Sequence, residues 1–90
     1  MKKQLKATFS GMVQGVGFRF AAQRLSEHFA VTGYVRNLSN GKVEVVAEGE
    51  EAVVQDFLKA IQSDMNESIR NLDVIWSEAE GQFKNFRIAY

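Results

Sequence analysis

The apolar residues of this chain recur first with a period of two and then with a helical period, and two glycines separate the patterns. Alternate positions from Leu5 to Val13 are apolar or glycine, which is typical of a strand with one buried face. Gly15 and Gly17 interrupt that alternation. A helical face then follows, made of Phe18, Ala22, Leu25 and Phe29. The sequence therefore predicts a strand, a glycine loop and a helix that ends before Thr32.

The middle of the chain predicts a hairpin followed by a second helix. Tyr34, Val35 and Leu38 favour a strand, although Arg36 and Asn37 interrupt them. Asn40-Gly41 follows, a pair that accepts the positive φ of a tight turn. The segment from Lys42 to Glu48 alternates again, and Gly49 is expected to end that strand. A second helical face follows, made of Val54, Phe57 (or Leu58), Ile61 and Met65. The acidic residues from Glu48 to Glu51 are expected to form a solvated entry to this helix.

The C-terminal part predicts two more strands. Leu72, Val74 and Trp76 alternate with other residues, and Trp76 is expected to pack in the core or on the sheet. A turn at Gly81 leads to a last strand near the C-terminus. The order β-α-β-β-α-β-β predicts an α+β fold, namely a ferredoxin-like β-α-β-β-α-β unit with an additional C-terminal strand. Its sheet should be antiparallel, with two helices on one face. No repeat or linker divides the chain, so residues 1–90 are predicted to be a single domain.

Composition excludes several classes of function. Eleven basic and eleven acidic residues give a net charge of zero, which argues against a broad electrostatic grip on nucleic acid or an anionic membrane. The chain has no cysteine and one histidine, His28, so thiol chemistry is excluded and a metal site is not expected. Neither a signal peptide nor a membrane span is evident, and the prediction is a soluble cytoplasmic protein.

Two places in the sequence could carry chemistry. The first is the loop from Gln14 to Phe18, because a side-chain-poor loop that opens a helix presents unpaired N–H groups to an anion. Arg19 follows at once and adds a planar fork of donors that matches phosphate oxygens. The second is Asn37, which lies in a predicted strand where asparagine is disfavoured, and whose amide could hold a water. From spacing alone, a plain turn with a solvated arginine and a solvent-facing asparagine remain open alternatives.

These residues lie in two segments that resemble a known family. The segments Gly11-Met12-Val13-Gln14-Gly15-Val16-Gly17-Phe18-Arg19 and Gly33-Tyr34-Val35-Arg36-Asn37-Leu38-Ser39-Asn40-Gly41-Lys42-Val43-Glu44 closely resemble the two signatures of the acylphosphatases. The order of the segments, their spacing and the chain length are similar to the family's as well. The resemblance therefore covers essentially the whole chain. It departs from the family where Tyr34 stands in place of a common tryptophan, which leaves Arg19 and Asn37 in place.

The resemblance implies a metal-independent hydrolase that splits the carboxyl–phosphate bond of acyl phosphates into a carboxylate and inorganic phosphate. It implies no cofactor and no covalent enzyme intermediate. It implies that Arg19 and Asn37 are catalytic. The phosphate-binding loop that it implies consists of Gln14, Gly15, Val16, Gly17, Phe18 and Arg19. A small acyl phosphate as substrate, phosphate as product and a monomeric state are expected, with neither nucleic acid nor membrane as partner.

Two alternatives and the identity of the substrate stay open at this point. The chain could be a domain of the kind found at the N-terminus of the hydrogenase-maturation carbamoyltransferase, whose loop also resembles residues 14–19. It could also be an RNA-recognition module on the same fold, for which a basic surface and exposed aromatic residues on the central strands would be expected. The candidate substrates include acetyl phosphate, carbamoyl phosphate, 1,3-bisphosphoglycerate and aspartyl-phosphate groups on proteins.

Overall fold

A computed structural model describes residues 1–90 and contains the seven elements in the predicted order. The strands are β1 (Lys2–Gly11), β2 (Thr32–Asn37), β3 (Val43–Glu50), β4 (Ile69–Glu78) and β5 (Phe86–Ile88). The helices are α1 (Phe18–Ser26) and α2 (Glu51–Asp64). No helix is both long enough and apolar enough to span a membrane. The predicted fold class is confirmed, and α1 ends three residues before Phe29, which packs against the core from outside the helix.

The strands form one five-stranded sheet in the order β4-β1-β3-β2-β5. Neighbouring strands are antiparallel except β2 and β5, which are parallel. Leu5 of β1 is paired with Ala47 of β3 on one side and with Trp76 of β4 on the other. Strands β1 and β3 therefore lie at the centre of the sheet, and β4 is an edge strand.

Both helices cover the same face of this sheet, and the core lies between them and the central strands. The inward residues of β1, Leu5, Ala7 and Phe9, are completely buried. The buried residues of the other elements that complete this layer are Phe18, Ala22, Val35, Val43, Val45, Ala47, Val54, Phe57 and Ile61. Trp76 faces the same side on the edge strand, but 37% of it stays exposed. The expectation that Trp76 packs on the sheet is thus met only in part.

Gly49 does not end β3, contrary to the prediction. It lies inside the strand and is paired with Lys3 of β1. A Cβ atom at position 49 would stand 2.7 Å from the carbonyl oxygen of Ala30, closer than such atoms approach. The glycine is therefore required by the close passage of the segment that precedes β2, a long-range contact that local sequence does not reveal.

Glu48 is also not a solvated residue, and this second expectation about the end of β3 is wrong. Only 5% of Glu48 is exposed, on the sheet face opposite the helices. Its carboxylate accepts hydrogen bonds from the Gln4 side-chain amide (2.7 Å) and from the backbone N–H groups of Glu80 (2.8 Å) and Gly81 (3.0 Å). Burial raises the pKa of Glu48, but these three donors outweigh it and hold the pKa below its ordinary value. The carboxylate thus fastens the loop between β4 and β5 onto β3.

We expect Glu48→Gln to destabilise the fold and to weaken its dependence on acidic pH. A glutamine loses the charge that strengthens three hydrogen bonds, at a cost of about 1–3 kcal/mol at pH 7. Because the folded-state pKa is lowered, the ionised group stabilises the protein above its ordinary pKa of about 4.3, and this contribution is lost as the pH falls through the folded-state value. Urea unfolding at pH 7 and at pH 3 should therefore differ less for the variant than for the wild type.

Glu67→Gln is the matched control for this comparison, because Glu67 is exposed. The control should unfold at the same urea midpoint as the wild type at pH 7. A Glu48→Gln protein that is as stable as the control at pH 7 would show that the carboxylate does not fasten the loop.

Candidate active site

The loop between β1 and α1 leaves the start of the helix open to an anion. Gly17 is the residue that precedes the helix and has φ 80° and ψ 17°, a left-handed conformation that glycine adopts without strain. No side chain caps the helix, and the first intrahelical bond runs from the N–H of Ala21 to the carbonyl of Gly17. The preceding N–H groups of the first turn therefore have no partner in the helix, and the positive end of its dipole lies behind them.

Gln14 holds this loop against the hairpin that joins β2 and β3. Its side-chain amide donates hydrogen bonds to the carbonyl oxygens of Leu38 (2.8 Å) and Lys42 (2.9 Å). The amide is thereby turned toward the hairpin, and Gln14 does not line the adjacent pocket. The observed contact gives Gln14 a positioning role, since it fixes the distance between the loop and the end of β2.

Arg19 and Asn37 meet at one surface pocket of about 200 Å³ beside this loop. The pocket is lined by Val13, Gly15, Gly17, Phe18, Arg19, Phe20 and Asn37. Val13 and Phe18 are buried and form its floor, whereas the two glycines and Asn37 are exposed. Four of the six residues predicted to bind phosphate thus line the pocket, and the side chains of Gln14 and Val16 do not.

The strand alternation of β2 explains how Asn37 reaches this pocket. Val35 is completely buried on the helix side of the sheet, and Asn37 follows two residues later on the same side. Asn37 is the last residue of β2, beyond the part of the strand that the core covers. Its side chain is therefore directed toward the start of α1 instead of being packed beneath the helices.

Arg19 has its hydrogen-bond donors free. It takes part in none of the side-chain hydrogen bonds and ion pairs of the chain, and its guanidinium carbon lies 5.2 Å from the centre of the Tyr90 ring. Such a cation–π contact orients an arginine without using its N–H groups. The guanidinium is thus held at the pocket with its donors available to phosphate oxygens.

Arg36 does not join the pocket, although it precedes Asn37 in the chain. Its Nε donates to the carboxylate of Glu44 at 2.8 Å, on the opposite face of the sheet. The buried Glu44 also accepts a hydrogen bond from the hydroxyl of Tyr34 at 3.0 Å. Burial raises the pKa of Tyr34, and Glu44 raises it further, while the same carboxylate raises the pKa of Arg36. Arg36 is therefore occupied by an ion pair with Glu44.

Two aromatic residues at the pocket escaped the sequence analysis. Phe20 lines the pocket and is 64% exposed. Tyr90 contacts Arg19 from the C-terminus, where the sequence predicted part of the last strand. Phe20 falls outside the apolar face of α1, and a phenylalanine at a solvent-facing helix position is the signal that could have revealed it.

No group of three or more His, Cys, Asp or Glu side chains lies close enough together to hold a metal ion.

Comparisons with known proteins agree with this arrangement. The family model for acylphosphatases matches residues 5–88. An acylphosphatase of Caldanaerobacter subterraneus subsp. tengcongensis is 38% identical over 89 residues, which cover 98% of this chain and 99% of the relative. The crystal structure of an acylphosphatase from Bacillus subtilis has a TM-score of 0.90 at 32% identity, covering 98% of this chain and 99% of that one. The chain also matches 12% of full-length HypF, in its phosphate- and nucleotide-bound form, with a TM-score of 0.85 at 26% identity.

Proposed function

This chain belongs to the acylphosphatase family, whose function is the hydrolysis of acyl phosphates, and we propose that Arg19 and Asn37 are the residues that perform this reaction here. One observation carries the proposal. A guanidinium with free donors, an uncapped helix start and an exposed amide converge on the same pocket, although they come from two separate elements. This combination offers charge for a phosphoryl group and a polar anchor for a water molecule.

The phosphoryl group would be held by the loop and by Arg19. The N–H groups at the start of α1 and the guanidinium supply donors to its nonbridging oxygens, where charge is distributed in the transition state. Gln14, through its two hydrogen bonds to the hairpin, keeps the loop at a fixed distance from Asn37. These contacts need no rearrangement as the reaction proceeds, because the loop geometry is already set by the fold.

Asn37 would orient the attacking water. Its amide accepts and donates hydrogen bonds but cannot abstract a proton at neutral pH, so its contribution is orientation. The water oxygen forms a bond to phosphorus while the bond between phosphorus and the acyl oxygen breaks. The acyl oxygen leaves as a carboxylate, which needs no protonation by the protein, and the protons of the water remain with phosphate and solvent. No side chain is phosphorylated in this scheme, and the positive charge comes from Arg19 and the helix start instead of a metal ion.

We expect the purified chain to release phosphate from benzoyl phosphate at the same rate before and after dialysis against EDTA. The rate should stay within about twofold, whereas a catalytic metal contributes several kcal/mol and its removal would be obvious. A phosphate monoester such as p-nitrophenyl phosphate is the control substrate, and it should be hydrolysed far more slowly because its leaving group is much poorer. Loss of activity that a divalent ion restores would overturn the metal-free scheme.

The open face of the sheet supports the proposal that nucleic acid is not a partner. RNA-recognition modules of this fold stack bases on aromatic residues of the central strands. Here the central strand β3 carries the buried carboxylates Glu44 and Glu48 at the corresponding face. The outward positions of β1 and β3 on this face carry no aromatic residue on which a base could stack. We also propose that the protein acts as a monomer, because the loop, Arg19 and Asn37 of one chain complete the pocket.

A further inference from the structure

Three exposed apolar side chains belong to the segments beside the pocket: one lines it, one contacts Arg19 and one lies in the glycine loop. Val16 is 45% exposed and lies between Gly15 and Gly17, the two glycines that line the pocket. Phe20 lines the pocket itself and is 64% exposed, and Tyr90, which is 95% exposed, places its ring beside the Arg19 guanidinium. We call Val16, Phe20 and Tyr90 the apolar rim. Large apolar side chains that are this exposed beside a pocket are typical of a ligand-binding surface.

The charge of the pocket is limited to a single group. Arg19 is the only charged residue among those that line it. Arg36, the next cation along β2, is bound to Glu44 on the other face of the sheet. When Arg19 and the start of α1 bind the phosphoryl group, no further cation of the pocket is left to bind a second anionic group of the substrate. That group would lie next to apolar side chains instead. Placing such a group against apolar side chains removes part of its hydration without supplying a partner, which is unfavourable.

We propose that the substrate of this protein is an acyl phosphate with an uncharged, apolar acyl group, which the apolar rim binds. This inference rests on the proposed function, since it places the phosphoryl group in the loop. The acyl group is attached to that phosphoryl group and must leave the pocket across its entrance, where the rim lies. Acyl phosphates with a second anionic group, such as 1,3-bisphosphoglycerate, are disfavoured by the same surface.

A series of straight-chain acyl phosphates tests this inference directly. Acetyl, butanoyl and hexanoyl phosphate release carboxylates of nearly equal acidity, so differences in kcat/KM report contacts with the chain and not the chemistry of the leaving group. A fully buried methylene increases binding about fourfold, and about 1.8-fold is expected for one that is partly buried on a surface rim, so four methylenes give about tenfold. We therefore expect kcat/KM to rise about tenfold from acetyl to hexanoyl phosphate, and succinyl phosphate to fall below butanoyl phosphate.

Two variants locate the origin of this preference. Phe20→Ala should reduce the tenfold rise to about threefold or less, with the inhibition constant of inorganic phosphate unchanged. Phe20→Lys should bring the rate on succinyl phosphate level with, or above, that on butanoyl phosphate. Ile75→Ala is the matched control, because Ile75 is also 64% exposed but lies on β4, outside the pocket. It should keep the full tenfold rise, and circular dichroism should show that all three variants are folded.

Binding of the non-hydrolysable acetyl-, butanoyl- and hexanoylphosphonates separates this inference from the proposed function. If no acyl phosphate is hydrolysed, the proposed function is wrong, and calorimetry on the phosphonate series still measures whether the rim binds the acyl chain. If all acyl phosphates are hydrolysed at equal kcat/KM, the proposed function stands and the inference about the acyl group is wrong. A rise with chain length that persists in folded Phe20→Ala and Phe20→Lys would also overturn the assignment to the rim.

Discussion

Arg19→Ala should abolish measurable binding of inorganic phosphate and lower kcat/KM by at least about 10³-fold. The guanidinium is the only charged group that lines the pocket, and its donors have no other partner in the protein. A charge-assisted contact that strengthens as charge moves onto the phosphoryl oxygens contributes to both substrate binding and transition-state stabilisation. We therefore expect KM to rise and kcat to fall together. Arg19→Lys should recover little, because an ammonium group cannot reproduce the two-pronged geometry of the guanidinium.

Arg24→Ala is the matched control for this experiment. Arg24 lies on the same helix and forms only a long ion pair with Asp64 (3.9 Å) across an exposed surface. Surface pairs of this kind contribute little to stability, so the control should keep its phosphate affinity and activity. The measurements are kcat, KM and the inhibition constant of phosphate, together with an NMR titration in which amide shifts should be largest for residues 15–19. Normal phosphate affinity in a folded Arg19→Ala protein would remove the arginine from the phosphate site.

The parts of the fold that sequence predicts are those set by local periodicity. The change of period at Gly15 and Gly17 predicted β1, the loop and α1, because each of these elements buries one face of its own. The continuation of β3 through Gly49 was not predictable in the same way. A glycine is required at position 49 because the carbonyl oxygen of Ala30 lies close to it, and that contact exists only after the chain has folded. A glycine that ends a strand and one that permits a close contact look the same in sequence.

Buried charge was equally hard to predict from the sequence. Glu44 and Glu48 occupy the outward positions of an alternating strand, which usually face water. Here Tyr34 and Arg36 cover Glu44, and the loop after β4 covers Glu48 with two backbone N–H groups. None of these partners is adjacent in sequence to the carboxylate that it covers. The burial of both glutamates follows from tertiary contacts that no periodicity encodes.

The candidate site also contains some residues that the sequence indicates and others that only the structure reveals. Arg19 and Asn37 could be singled out because a glycine loop before a helix and an asparagine in a strand both depart from local preference. The structure adds the reason that they meet, since Val35 and Asn37 share the helix side of β2. Within the apolar rim, the approach of Tyr90 could not be predicted, because Tyr90 lies at the far end of the chain and approaches Arg19 only through the position of β5 beside β2. Sequence thus indicates the residues proposed to bind the phosphoryl group and the water more readily than those at the entrance.

The two faces of the sheet have different roles in this arrangement. On the face opposite the helices, Glu44 pairs with Arg36 and Lys6 and accepts a hydrogen bond from Tyr34, so Arg36 does not reach the pocket. The helix face leaves one cation, Arg19, beside an exposed amide. Because adjacent residues of β2 point to opposite faces, Arg36 and Asn37 can serve these separate roles from consecutive positions. The electrostatics of the pocket is therefore set by one guanidinium and the helix start.

Asn37→Ala should lower kcat by roughly 10²–10³-fold while the inhibition constant of phosphate changes by less than about twofold. The expected contrast with Arg19→Ala follows from the separate contacts of the two residues. Arg19 would contact the phosphoryl oxygens in the ground state and in the transition state, whereas Asn37 would contact only the attacking water. Loss of a single well-placed polar group of this kind affects the chemical step and leaves the loop that binds phosphate intact.

Asn37→Asp extends the test, because it preserves the size of the side chain but replaces the amide donor by a negative charge facing the phosphoryl group. This variant should also lose most of its activity and should bind phosphate more weakly than Asn37→Ala, since like charges repel across a short distance. Asn71→Ala, at an exposed position of β4, is the control and should behave as the wild type. A folded Asn37→Ala protein with normal kcat would mean that another group positions the water. In that case the exposed end of β2 would have no catalytic role, and the pocket would bind phosphate through the loop and Arg19 alone.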